Sequence, residues 1–100
     1  MSKTTFSTKE RILYQAIDTF GFDGMIDKTI QKAAALIQNA LIYKHSPKRD
    51  KAVCERSALL VSIADVRLML DALLLMVDDT GYFEDVALEF LRQEIVRETE

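Results

Sequence analysis

The chain has few of the residues that make tight turns, disulfides and metal–thiolate sites. Its 100 residues include three glycines, one proline, one cysteine and no tryptophan. So few turn-forming residues argue against a strand-rich sandwich or barrel and favour an all-α fold. The single cysteine, Cys54, excludes an intrachain disulfide framework and a cysteine-rich zinc site, and it predicts a reducing compartment.

The sequence also has no long apolar run and no strong charge of one sign. It contains no uninterrupted stretch of about 18 apolar residues, and its first residues do not resemble a signal sequence. We therefore expect a cytoplasmic protein that does not enter a membrane. The net charge of −3 gives no general attraction to nucleic acid, so a nucleic-acid partner is not expected.

The length and the apolar content predict one folded domain, residues 1–100. Hydrophobic residues make up 49% of the chain, which is enough to build a core. A chain of 100 residues is well below the roughly 250–300 residues at which cores usually divide. Within this domain we expect residues 1–7 to form a flexible N-terminus and residues 97–100 to be frayed.

Charge is distributed unevenly along the chain. Residues 1–50 hold eight basic and five acidic side chains, whereas residues 51–100 hold five basic and eleven acidic ones. Such a dipolar chain suits head-to-tail contact between copies, or an anion held at one end. A solvated, charged surface is the simpler interpretation, and both alternatives stay open at this point.

Apolar residues recur at helical spacing in four segments of the sequence. We expect helices at about residues 8–20, 25–43 and 50–78, and a fourth from about residue 82 to residue 94 and beyond. Gly21 is predicted to end the first helix, Pro47 to interrupt the chain after the second, and Gly81 to follow the third. Four helices with short connections are typical of a helical bundle.

The predicted third helix is apolar on most of its circumference. Beyond its main stripe, the side chains of Leu68, Met69, Leu75 and Met76 are apolar as well. A helix of this kind needs covering on more than one side, and 100 residues provide few elements to do that. We therefore expect a homo-oligomer, a dimer or a dimer of dimers, with these four residues at the interface between copies.

Asp65 is a carboxylate within this apolar helix. Its neighbours Ala64 and Val66 are apolar, and a buried or half-buried carboxylate needs a charged or hydrogen-bonding partner. Two interpretations are open. In the first, Asp65 pairs with a lysine or arginine of another helix. In the second, it belongs to a binding or catalytic site, because functional charges of helical bundles commonly project inward.

The order and spacing of several short strings resemble the small MazG-like branch of the all-α NTP pyrophosphohydrolases. The strings are Ala16-Ile17-Asp18-Thr19-Phe20-Gly21, Ile26-Asp27-Lys28-Thr29-Ile30, Leu36-Ile37-Gln38, Ile63-Ala64-Asp65-Val66 and Met69-Leu70. The resemblance covers about residues 12–95 and implies four-helix subunits that dimerise or tetramerise. It also implies hydrolysis of nucleoside triphosphates to monophosphate and pyrophosphate, with Mg²⁺ held by carboxylates. Short MazG-like proteins often come from phages and prophages, which implies a bacterial host.

This sequence departs from the pattern at the positions where the family holds its metal. The resemblance implies an E-x-x-E on one helix and an E-x-x-D on another, since that spacing puts both carboxylates on one face. Here the four positions hold Lys32, Ala35, Ser62 and Asp65. One carboxylate does not replace a cluster, and an ammonium repels a metal cation. We therefore expect no metal cofactor and no catalytic residues. The alternative is an active, Mg²⁺-dependent nucleoside triphosphate pyrophosphohydrolase.

The substitutions predict a metal-free role for the same site. We expect the Lys32 ammonium to lie near Asp65, in the place of the metal. In one interpretation the pair closes an inactive site, and the protein acts through a host protein or another protein partner. In the other, Lys28 and Lys32, one turn apart, bind a phosphate-bearing ligand such as a nucleotide together with Asp65. Both describe a catalytically degenerate binding, regulatory or protein-interaction module.

Overall fold

The chain is all-helical over the residues that the structure describes. The computed structural model of the protein describes residues 7–46, 53–77 and 81–99, which contain three helices and no strand. The helices are α1 (Thr8–Lys44), α2 (Val53–Val77) and α3 (Tyr82–Thr99). The all-α class predicted from the sequence is therefore confirmed.

The first helix begins with a reciprocal pair of hydrogen bonds. The Ser7 hydroxyl accepts a hydrogen bond of 3.1 Å from the Glu10 backbone N–H. In return, a Glu10 carboxylate oxygen accepts one of 3.3 Å from the Ser7 backbone N–H. These two bonds form a capping box, which satisfies backbone donors that the start of a helix leaves unpaired. The capping box therefore fixes Ser7 as the residue that caps the start of α1.

A single glycine breaks α1. Gly21 has φ 72° and ψ 177°, which lies outside the helical range and in a region that glycine alone adopts readily. The predicted first and second helices are therefore the parts of α1 before and after this kink. Residues 22–24, between the predicted first and second helices, are helical as well. At Gly24 an added Cβ would lie 3.0 Å from the Phe20 Cβ, so the two parts of α1 approach closely there.

The other described helices lie within or continue the segments predicted from the sequence. α2 covers most of the predicted segment 50–78, and α3 continues past residue 94 to Thr99, as predicted. The predicted interruption at Pro47 lies outside the described residues. Although α2 is rich in leucine, no helix among the described residues is long and apolar enough to cross a membrane.

The core lies where the kinked α1 meets the C-terminal half of α2. Leu13 precedes the kink, Met25 follows it, and both pack with Ala72 of α2 in one buried cluster. Partly buried apolar side chains surround this cluster: Ala16, Ile17, Met69, Leu73, Leu75 and Met76. Both parts of α1 contribute to the core, so this packing requires the kink at Gly21.

The third helix packs only marginally on the other two. No residue of α3 is buried. The radius of gyration is 17.4 Å, whereas a compact domain of 100 residues has about 13 Å. The accessible surface is 8239 Å², against about 5,800 Å² for a compact monomer of this size. A single copy therefore leaves much apolar surface in contact with water.

Candidate functional site

Lys32 and Asp65 face each other across the contact between α1 and α2. The distance between Lys32 Nζ and Asp65 Oδ2 is 3.4 Å, so the two side chains form an ion pair and a hydrogen bond. The side chains are 45% and 38% exposed, and water therefore screens the pair. The proximity predicted from the sequence is confirmed, whereas a role of this pair in ligand binding stays a prediction.

A second polar contact joins the same two helices. Asn39 Nδ2 donates a hydrogen bond of 2.6 Å to Ser62 Oγ, and the Ser62 hydroxyl donates one of 3.0 Å to the Ala58 carbonyl oxygen. Ser62 is 5% exposed, and its hydroxyl is satisfied both as donor and as acceptor. The hydroxyl at this position, where the resemblance implies an acid, therefore helps to hold α1 against α2.

Asn39 is a residue of this site that the sequence analysis missed. It follows Lys32 by seven residues, which is about two helical turns, so both side chains lie on one face of α1. That spacing is a signal in the sequence, because a polar amide on a packed helix face needs a partner. The identity of the partner, Ser62, depends on how α1 and α2 align.

Lys28 lies over the ring of Phe20. Its Nζ is 4.1 Å from the ring centroid, a cation–π contact between the two parts of α1. Lys28 and Lys32 therefore each have a partner within the chain, an aromatic ring for one and a carboxylate for the other. The joint binding of a phosphate-bearing ligand by Lys28, Lys32 and Asp65 stays a prediction.

The residues at the implied metal positions do not fit a magnesium ion. Mg²⁺ prefers several oxygen ligands in octahedral geometry, and these positions offer one carboxylate beside an ammonium. Across the described ranges, no group of three His, Cys, Asp or Glu side chains is arranged to hold a metal ion. No step of a metal-dependent hydrolysis can be assigned to these side chains.

The residues predicted to lie between copies fall into two groups. Leu68 is 39% exposed, whereas Met69, Leu75 and Met76 pack partly against the core of their own chain. Leu68 is therefore the most exposed of these four residues, although the larger part of its surface is covered. A role of these four residues in an interface stays a prediction.

An apolar groove lies beside the core, between the N-terminal part of α1 and α2. Its volume is about 380 Å³, and apolar side chains form its walls: Ile12, Leu13 and Ala16 from α1, and Leu68 and Met69 from α2. Lys9 lies at its edge and forms an ion pair with Asp71. The sequence pattern predicts Leu68 and Met69 at an interface, but it does not predict the groove.

A salt bridge on α3 shifts the pKa values of both its residues, Glu89 and Arg92. Arg92 donates hydrogen bonds of 2.6 and 3.0 Å to the two carboxylate oxygens of Glu89. The Arg92 guanidinium lowers the pKa of Glu89, and the Glu89 carboxylate raises the pKa of Arg92. Both side chains are exposed, so this pair marks the solvated face of α3.

Comparison of the chain with family models, with curated proteins and with solved structures finds no match. The resemblance to MazG-like proteins therefore rests on the five sequence strings quoted above.

Proposed function

We propose that the chain is a catalytically degenerate MazG-like protein that acts as a metal-free protein-interaction module. The ion pair between Lys32 and Asp65 carries this proposal. Asp65 is the one acid left at the positions implied for the metal, and an ammonium lies 3.4 Å from its oxygen. Because a lysine ammonium already supplies the positive charge there, a magnesium ion would meet repulsion in place of a cluster of anions.

The contact between Asn39 and Ser62 supports the same proposal. A short serine hydroxyl at position 62 allows α1 and α2 to pack closely and to share a hydrogen bond of 2.6 Å. A glutamate at this buried position would need a cation or several donors to offset the loss of hydration. The substitution of an acid by Ser62 is therefore consistent with a site that has given up its metal.

The exposed apolar surface favours a protein partner over a nucleotide. The ammonium groups of Lys28 and Lys32 are engaged by Phe20 and Asp65, so phosphate binding would have to displace those contacts. In contrast, large apolar side chains on all three helices are exposed. Extended apolar patches on a single chain mark surfaces that other proteins cover.

The proposed assembly is a dimer or a dimer of dimers in the cytoplasm. Counting the two parts of α1 separately gives the four helices of the proposed MazG-like subunit, which a second copy completes. The regulatory partner we propose is a host protein, in line with the phage and prophage members of the family.

An assay of pyrophosphate release tests the loss of catalysis. With Mg²⁺ or Mn²⁺ and a panel of NTPs and dNTPs, we expect no release above the protein-free blank. The Asp65→Ala variant serves as the control and should give the same baseline. Metal-dependent release that disappears in Asp65→Ala would contradict the proposal and support the active enzyme.

A melting experiment in EDTA separates the two kinds of binding module. A nucleotide that raises the melting temperature of the wild type without metal, and fails to do so with Lys32→Ala, would assign the site to nucleotide binding. We expect no such shift, because both lysines have partners within the chain.

A further inference from the structure

The third helix carries an apolar stripe that no described part of its own chain covers. Phe83, Phe90 and Leu91 recur at helical spacing, and each is between 53% and 74% exposed. Ala87 completes the stripe between Phe83 and Leu91. A helix with such a face is stable in water only when another surface buries it.

The groove beside the core has the form that an apolar helix face needs. Its walls come from two different helices, and Ile12 at its rim is 58% exposed although its neighbour Leu13 is buried. Apolar grooves between helices commonly bind the apolar face of an amphipathic helix. Aromatic side chains such as Phe83 and Phe90 are the anchors most often found in such contacts.

The chain does not bring its own third helix to this groove. Gly81 precedes α3 with φ +84°, and α3 makes only marginal contact with α1 and α2. The groove and the stripe of one copy are therefore two complementary surfaces that stay apart. A second copy offers both surfaces at once.

The surface area and the charges agree with a second copy as the partner. The accessible surface of 8239 Å² exceeds that of a compact monomer by about 2,400 Å², and obligate dimers bury about 1,000–2,500 Å² of each subunit. α3 holds five acidic and two basic side chains. Lys9, which pairs with Asp71, lies at the edge of the groove, and Arg67 lines a neighbouring pocket together with Lys9. Opposite charges would therefore flank the apolar contact.

We propose that α3 of one copy docks through Phe83 and Phe90 into the α1–α2 groove of a second copy. Reciprocal exchange makes two equivalent contacts related by a two-fold axis, which closes the assembly at a dimer. This inference rests on one part of the proposed function, the association of two copies. The Lys32–Asp65 pair takes no part in the contact.

Matched glutamate variants test the two sides of this contact. Ile12→Glu alters the groove, Phe90→Glu alters the stripe, and Val61→Glu alters an equally exposed position of α2 outside both. By sedimentation equilibrium, the first two should raise the dimer dissociation constant by about 30-fold or more, the effect of losing an anchor side chain. Val61→Glu should leave it unchanged.

Mixing the two dissociating variants gives a complementary test. The Ile12→Glu chain keeps an intact α3, and the Phe90→Glu chain keeps an intact groove, so the mixture can form one native contact. We expect a heterodimer to appear in the mixture although each variant alone is monomeric. Circular dichroism before mixing shows whether each variant is folded.

Cross-linking distinguishes exchange between copies from docking within one chain, and it does not depend on the glutamate variants folding. On a Cys54→Ser background, Ile12→Cys and Phe90→Cys chains are prepared separately, mixed and treated with a short bismaleimide. A covalent heterodimer supports the exchange. No heterodimer, combined with cross-linking inside a chain that carries both substitutions, would overturn it. If only Val61→Glu dissociates the dimer, the exchange of α3 is wrong, but the association of copies stands. If the wild type is a monomer, the exchange and the proposed association of copies are both wrong.

Discussion

Lys32 on α1 and Asp65 on α2 form an ion pair with 3.4 Å between Nζ and Oδ2. Exposed pairs of this kind contribute about 0–1 kcal/mol to the free energy of unfolding, so stability is a poor explanation of why these residues are paired. The pair places a positive charge beside the carboxylate at the position where the resemblance to MazG-like proteins implies a metal ligand.

Glutamates at positions 32, 35 and 62 should restore a metal site if the resemblance assigns the metal-binding positions correctly. The variant Lys32→Glu, Ala35→Glu, Ser62→Glu presents carboxylates at i and i+3 on both helices, together with Asp65. We expect it to bind Mg²⁺ in isothermal titration calorimetry and to melt at a higher temperature when Mg²⁺ is present. The wild type should show neither effect.

The matched control for this variant carries glutamine at the same three positions, which keeps the size of the side chains and removes their charge. It should bind no Mg²⁺. If the glutamate variant is folded by circular dichroism and takes up no more Mg²⁺ than the glutamine variant, the assignment of these positions is wrong.

Ser62→Ala should destabilise the protein although it removes a single oxygen atom. The substitution leaves the Asn39 amide without the hydroxyl that accepts its hydrogen bond at 2.6 Å. A partly buried hydrogen bond of this kind is worth about 1 kcal/mol, and its loss lowers the melting temperature of a small domain by about 4–8 °C. Ser57→Ala, an exposed position on the same helix, is the control and should melt with the wild type. Equal melting temperatures for the two variants would show that the contact contributes nothing.

Gly21→Ala should destabilise the fold through the backbone. No atom lies within 4 Å of a Cβ added at Gly21, so the substitution causes no steric clash with neighbouring groups. The φ of 72° with ψ of 177° is nevertheless strained for alanine, at a cost of about 1–3 kcal/mol. Urea denaturation measures the loss. A variant as stable as the wild type would mean that the kink does not depend on glycine.

Arg92→Ala should raise the pKa of Glu89 toward its ordinary value. The guanidinium is the main reason that the pKa of Glu89 lies below 4.5. Because the pKa is lowered in the folded protein, the stabilisation by this pair is present above pH 4.5 and is lost as the pH falls through the lowered pKa. Titration of the Glu89 carboxyl by NMR measures the shift, with Arg97→Ala as a control that should leave it in place.

The sequence predicts the helices better than it predicts their partners. The period of 3.6 residues in the apolar pattern locates all the described helices, and Gly21 is correctly identified as a break because glycine favours positive φ. The same pattern does not say that the chain resumes a helix at once after Gly21. That outcome depends on Leu13 and Met25 meeting Ala72 from both sides of the kink.

The candidate site is predictable only in part for the same reason. The positions of Lys32 and Asp65 follow from the resemblance, and the structure brings them together. The pairing of Asn39 with Ser62 and the stacking of Lys28 on Phe20 depend on helix alignment and on the kink, which no local pattern encodes. The exposed stripe of α3 is visible in the sequence as an amphipathic helix, but the pattern does not identify what buries it.

The most direct test of the central claim is the melting temperature of the wild type with nucleoside triphosphates, measured in parallel with Mg²⁺ and with EDTA. If the Lys32 ammonium takes the place of the metal that the resemblance implies, the protein should melt at the same temperature in both conditions, for every nucleotide. A rise of several degrees that requires Mg²⁺ would show that a metal site survives, and it would contradict the account.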